Sequence, residues 1–173
     1  MMADKLILCG WKERIALSKL NINHLKVKMD TGAKTSALHV DEMFITKIGE
    51  IDYVNFTILR KKSEIYRFKK YNYYSDSHID DSENDLIAIT NICPVKKRKN
   101  ITSSNGTKEE RVIINSSIYF YVNCGEKIIS WDIDISLTRR NDMLFKMLIG
   151  RDAMIGKIII DPSDKYVSRI IDI

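Results

Sequence analysis

At 173 residues the chain has the length of one domain with room for a core, and a net charge of +5 gives only a mild bias toward anionic partners. Hydrophobic residues make up 45% of it, ordinary for a globular protein. Every apolar stretch is interrupted by Lys, Arg or Asp well before the roughly 20 residues of a membrane helix. Three cysteines at wide spacing, Cys9, Cys93 and Cys124, argue against a disulfide framework and read as small buried hydrophobes.

The first apolar run, Leu6-Ile7-Leu8-Cys9, is too short for a signal-peptide core. It is followed by Trp11-Lys12-Glu13-Arg14 rather than by small residues, so a cytoplasmic protein is expected. Lys26-Val27-Lys28-Met29 alternates with period two and runs into Asp30-Thr31-Gly32-Ala33 and Lys34-Thr35-Ser36-Ala37-Leu38. A strand with Val27 and Met29 pointing inward is expected to deliver Asp30 to the interior side of the sheet. Gly32 reads as the residue that lets the backbone reverse. The hydroxyls of Thr31, Thr35 and Ser36 can tie the turn to neighbouring main chain. Alone, an Asp-Thr-Gly triplet is equally the signature of a polar turn that caps itself. A short helix is a candidate around Asp41-Glu42.

Strand signals dominate the rest of the chain. Ile51–Leu59 is rich in β-branched and aromatic residues, and residues 72–85 are polar and acidic and read as a mobile loop. Lys96-Lys97-Arg98-Lys99 reads as a solvated strand edge guarded by charge. It lacks the interleaved aromatics of a nucleic-acid platform, so nucleic acid is not an expected partner. Asn105-Gly106 predicts a hairpin. Val112-Ile113-Ile114 and Ile118–Val122 predict strands, and Asn123-Cys124-Gly125-Glu126 a reversal. In the next strand Ile129, Trp131, Ile133 and Ile135 alternate with Ser130, Asp132 and Asp134. Met147-Leu148-Ile149-Gly150-Arg151 is an apolar run ending in Gly-Arg, followed by one short helix expected from Arg151 to Gly156. A late strand, Lys157–Ile160, is expected to end at Asp161-Pro162-Ser163. The sum is an all-β domain of short strands, closed or nearly closed into a barrel, with one short C-terminal helix.

The Asp-Thr-Gly-Ala turn near the N-terminus and the later Leu148-Ile149-Gly150 segment together resemble the retropepsin-like aspartic proteases. The resemblance is closer to one bacterial family. It is carried by Gly10-Trp11-Lys12-Glu13, by Lys26 to Leu38, by Thr102-Ser103-Ser104-Asn105-Gly106 with Glu109-Glu110-Arg111, and by Leu137-Thr138-Arg139-Arg140 before Met147–Arg151. That family, once labelled ATP-dependent zinc proteases, was later regrouped as retropepsin-like aspartic endopeptidases. In many bacteria it is associated with ATP-grasp ligases that add glutamate to a ribosomal protein. The resemblance spans residues 8–168. It is weakest at about 60–85, which reads as an insertion in a single retropepsin-like domain of residues 1–173. It implies an acid-protease barrel, a homodimer, a peptide or protein substrate, and a possible glutamate-ligase partner.

Hydrolysis of a peptide bond by carboxylates needs two of them, one ionised to activate water and one protonated to polarise the carbonyl. Asp30 is the single candidate. Asp132-Ile133-Asp134 lacks a glycine, Arg151-Asp152-Ala153 has the wrong continuation, and Pro162 removes a main-chain donor after Asp161. A dyad therefore requires two copies of Asp30 on a two-fold axis. Thr31, Gly32, Ala33 and Thr35 would support the turn. Leu148 and Ile149 would wall it in apolar material, and Gly150 and Arg151 would bring the crossing strand close. Ser103, Ser104, Asn105 and Gly106 fall where a flap would lie. Lys34 departs from the viral pattern, in which an acidic residue at this position pairs with the Arg of Gly-Arg. No metal or cofactor is expected. His24, His39 and His78 form no His-Glu-x-x-His arrangement, and no phosphate-binding Gly-rich loop is present. The alternative is a non-catalytic member of the fold that binds a peptide or protein, such as a glutamate ligase.

Overall fold

Strand-forming sequence prevails throughout, and the computed structural model, which describes residues 6–61, 64, 85–102, 106, 108–139 and 144–171, is mostly β. In chain order the strands are β1 (Leu6–Leu17), β2 (Ile22–Met29), β3 (Ser36–His39), β4 (Glu42–Ile48), β5 (Ile51–Lys61), β6 (Leu86–Pro94), β7 (Lys97–Thr102), β8 (Lys108–Val122), β9 (Lys127–Thr138), β10 (Met147–Ile149), β11 (Ile158–Lys165) and β12 (Arg169–Ile171). The short helix α1 (Arg151–Met154) lies where it was expected and buries Ala153 and Met154.

The larger sheet is mixed, in the order β11-β1-β2-β10-β3-β9-β8-β7, with β12 added to β1. β1 also pairs with β8 through Ile15 and Phe120, so the ladder path leaves β1 through β2 and returns to it through β8. Alternation decides what faces the core. Leu25, Val27 and Met29 of β2 are buried, as are Ile133 and Ile135 of β9, while Asp132 is exposed. The second sheet, β4-β5-β6, turns Val54, Phe56 and Ile58 onto the same core. Residues 62–63 and 65–84, which hold most of the expected insertion and loop, lie outside the described residues. The pair Lys61–Leu86 brackets them.

Three expectations are corrected. Asp41-Glu42 starts no helix: Glu42–Ile48 is committed to an antiparallel ladder on β5. Asp41 instead anchors that ladder, its N–H donating to Thr57 O at 2.8 Å and its carboxylate accepting from Leu59 N–H at 2.6 Å. The late strand does not end at Pro162 but runs to Lys165. β11 lies at the end of the sheet order, and its register with β1 shifts between Gly10 and Lys12, so the missing N–H of Pro162 falls at an irregularity of an edge strand. Cys124 is exposed, because it occupies a tight turn with φ of 60°, whereas Cys9 is buried.

The β1 irregularity is pinned by Glu13, which is 1% exposed. Its Oε1 accepts from Gly10 N–H at 2.7 Å and Val167 N–H at 3.0 Å, and its Oε2 from the Ser168 hydroxyl at 2.9 Å. One carboxylate thus ties the first strand to the last segment of the chain. No helix among the described residues is long and apolar enough to cross a membrane.

Candidate active site

β2 ends at Met29, and the turn after it is built around the Asp30 carboxylate. Asp30 N–H donates to the Ile149 carbonyl at 2.9 Å, and Oδ1 accepts from Gly32 N–H at 3.0 Å. The Asp30 carbonyl accepts from Ala33 N–H at 3.2 Å. A Cβ on residue 32 would sit 3.2 Å from Oδ1, so glycine here keeps the space beside the carboxylate open.

Asp30 does not point to the interior. Period two places it on the face of Lys28, opposite the buried Val27 and Met29, and its side chain is half-buried. Lys28 Nζ lies 3.9 Å from Asp30 Oδ2. The carboxylate opens into a cleft of about 620 Å³, lined on one side by Gly32, Ala33, Lys34, Thr35, Leu148 and Arg151. The opposite wall is the stem of the β7–β8 hairpin, with Lys99, Asn100, Ile101, Thr102 and Arg111. Of the expected flap, Ser103, Ser104 and Asn105 lie outside the described residues. Gly106 is exposed with φ of 82°, a left-handed conformation that suits glycine.

The crossing strand is locked to the turn. β10 pairs with β2 through Leu148–Lys28 and with β3 through Leu148–Ala37. A Cβ built on Gly150 would lie 2.6 Å from the Thr35 carbonyl carbon and 2.8 Å from Lys34 O, so only glycine permits this approach. Gly150 N–H donates to Ser36 Oγ at 3.1 Å, and the Ser136 hydroxyl donates to the Ser36 carbonyl at 3.0 Å. Arg151 Nη1 donates to the carbonyls of Thr31 at 2.7 Å and Gly32 at 3.1 Å. The guanidinium therefore secures the turn without an acidic partner at position 34, and the departure at Lys34 leaves this contact intact. Leu148 lines the cleft. Ile149 does not, since its side chain is fully buried in the core and only its carbonyl serves the turn.

Ser36 ties the turn to main chain through its hydroxyl as expected, whereas Ser136, Lys28 and Arg111 were not among the expected site residues. Glu109-Glu110-Arg111 carried a signal: Arg111 is 6% exposed, with Nε donating to Glu109 Oε2 at 2.9 Å. The basic run is largely spoken for. Lys96 and Lys97 meet Asp134 at 2.7 and 3.3 Å, and Arg98 meets Asp52 at 3.0 Å, leaving Lys99 to face the cleft. Among the described residues no group of three His, Cys, Asp or Glu is placed to hold a metal ion. His24 stacks on Tyr121 and His39 lies 3.4 Å from Asp41, while His78 lies outside the described residues.

A family model described as retropepsin-like aspartic endopeptidase RimB matches residues 8–170. The chain belongs to this RimB-like family. Similar curated proteins are named probable alpha-L-glutamate ligase. One from Shewanella pealeana is 29% identical over 95% of the RimB-like chain, and one from Desulfotalea psychrophila is 30% identical over 94%. A third, from Parasynechococcus marenigrum, is 26% identical over 92%. The RimB-like chain spans only 29–30% of the length of these relatives. A solved structure from Legionella pneumophila, of a protein of unknown function, shares the fold with a TM-score of 0.61. It is 21% identical and covers 92% of this chain and 95% of its own.

Proposed function

We propose that the protein is an aspartic endopeptidase in which two copies of Asp30, brought together on a two-fold axis, share one proton and activate a water for attack on a peptide carbonyl. In this reading one Asp30 is the base and its mate the acid, because two adjacent carboxyls cannot both hold negative charge. The observation that carries the reading is the placement of Asp30. It is held by three backbone hydrogen bonds at the mouth of a cleft, crossed by an apolar strand and faced by a hairpin stem. The returning ladder path supports a closed retropepsin-like barrel formed by one domain. Ser103, Ser104, Asn105 and Gly106, between β7 and β8 in sequence, are proposed as the flap, and the cytoplasm as the compartment.

Thr31 and Gly32 lie beside Asp30 where a mate would approach, and Leu148 supplies the apolar wall that favours a shared proton. Lys34 and Lys99 give the cleft a positive lining, which favours substrates carrying carboxylates near the scissile bond.

Asp30→Asn tests the reading. It is expected to abolish cleavage of a fluorogenic peptide library while leaving the far-UV spectrum and melting temperature unchanged. Turnover that survives the substitution ends the endopeptidase proposal. The names of the relatives favour a second role, as partner of a glutamate ligase, with or without catalysis. A wild-type protein that cleaves nothing yet co-elutes with such a ligase would select that role.

A further inference from the structure

Three lysines stand abreast on the outer face of the larger sheet. Lys12 of β1 is in register with Lys28 of β2 on one side and with Lys165 of β11 on the other. Partners in register on neighbouring strands share a face, so the three side chains form one row, opposite the buried Val27 and Met29. The next register pair on this face, Arg14 with Lys26, again sets cation against cation. Like charges placed directly opposite one another destabilise a sheet. Among the described residues Asp30, 3.9 Å from Lys28, is the one carboxylate in an ion pair with any of the three lysines. Asp164, the neighbour of Lys165, turns its carboxylate onto the Lys165 main-chain N–H at 2.8 Å.

The row leads into the cleft. The partner of Lys28 on the far side is Leu148, which lines both the Asp30 cleft and an apolar recess of about 310 Å³ that Trp11, Lys28 and Phe145 also line. Lys12 is held without being neutralised: its Nζ lies 5.3, 5.6 and 6.0 Å from the ring centres of Tyr166, Phe145 and Trp11. Arg14 sits 4.4 Å over the Tyr166 ring. Rings engaged by the protein's own cations make a poor stacking platform for nucleic-acid bases. The ammonium groups themselves are open to an anion, since the Lys28 side chain is 45% exposed and Lys165 is exposed.

We infer that Lys28, Lys12 and Lys165 form an exosite for an acidic stretch of a polypeptide substrate that continues beyond the Asp30 cleft. The inference deepens the endopeptidase reading by assigning a second point of attachment outside the cleft. Strands about 4.8 Å apart make the row about 10 Å long, a span covered by about three residues of extended chain. Acidic residues at alternate positions of such a chain put their carboxylates on one side, about 7 Å apart, within reach of long lysine side chains. The bound carboxylates offset the repulsion that the row otherwise carries.

The test is fluorescence anisotropy on Asp30→Asn protein, so that binding is read without turnover. The probes are a labelled Glu-Gly repeat octapeptide, the matching Gln-Gly octapeptide and a single-stranded thymidine octanucleotide. The Glu-Gly peptide is expected to bind with an affinity that falls as salt rises, and to bind more tightly than either other probe. Lys12→Gln combined with Lys165→Gln is expected to weaken the Glu-Gly peptide about fivefold or more. Lys47→Gln, on β4 of the second sheet, is expected to leave it unchanged. If the double variant folds poorly, Lys165→Gln alone, at an exposed position, is expected to weaken it about twofold. Equal affinities in the wild-type row and its variants, no preference for Glu-Gly over Gln-Gly, or tighter binding of the oligonucleotide would overturn the inference. A negative binding result leaves the endopeptidase reading to the cleavage assay, and cleavage that survives Asp30→Asn leaves the binding result standing.

Discussion

Gly150 sits with its N–H on Ser36 Oγ at 3.1 Å, at a separation too small for any side chain on residue 150. Gly150→Ala would place a methyl group 2.6 Å from backbone that also carries the Asp turn. The substitution is expected to cost about 1–3 kcal/mol of stability and to lower activity further than stability alone explains. Urea midpoints read beside turnover at a temperature where the variant is folded check this. An unchanged midpoint would contradict the packing described.

Arg151 bridges two successive carbonyls with one planar guanidinium. Both bonds leave Nη1 of a planar, pre-oriented group, whereas lysine offers a freely rotating point charge on a flexible stem. Arg151→Lys is expected to retain most of the stability, the site being exposed, yet to reduce kcat at least tenfold with KM nearly unchanged. A loss confined to KM would mean that Arg151 binds substrate instead of holding the turn.

Glu13 makes a pH prediction. Burial pushes its carboxyl above the usual range, against the opposing pull of its hydrogen bonds to Gly10, Ser168 and Val167. The folded state therefore holds this proton more tightly than the unfolded state. The resulting stability is fully present below about pH 4.5, the unfolded value, and is lost as pH rises through the folded value. Glu13→Gln is expected to remove that decline, so its stability relative to wild type rises between about pH 4 and pH 8. Paired urea melts at those two pH values report the difference. Glu13→Ala instead leaves three donors without an acceptor and is expected to cost about 2–4 kcal/mol.

Much of this was readable in advance where the information is local. The turn at Asp30, the Gly-Arg after β10, the helix at Arg151 and the alternation in β9 each depend on neighbours in sequence. What escaped depends on partners far along the chain. The Ser36 hydroxyl was expected to meet main chain, but the partners of Ser36 lie 114 and 100 positions away, and no spacing rule announces which they are. The inward aim expected for Asp30 failed on parity, because a residue after Met29 must take the opposite face while the strand continues. Ile149 failed for the same reason, alternating with the cleft-lining Leu148. Pro162 misled because a strand edge tolerates what a central strand does not.

Charge on the hairpin stem yields a specificity prediction. Lys99 is the one member of its basic run without an ion pair among the described residues, and it faces the cleft. Lys99→Glu is expected to lower kcat/KM several-fold for Glu-containing peptides and to leave neutral peptides nearly unaffected. Equal losses on both would place Lys99 outside substrate recognition.

Catalysis by a carboxyl pair also predicts indifference to chelators. Dialysis against EDTA is expected to leave cleavage unchanged, and loss restored by added zinc would reverse the assignment of the chemistry.

β1 bonds to β2, β8, β11 and β12, elements spread from residue 22 to residue 171. During translation β2 can cover β1 early, but the remaining ladders of β1 stay unsatisfied until β8, β11 and β12 have left the ribosome. Completion of this fold is thereby deferred until residue 171 has emerged, and in that interval the nascent segment keeps part of an apolar strand open to chaperones and to aggregation.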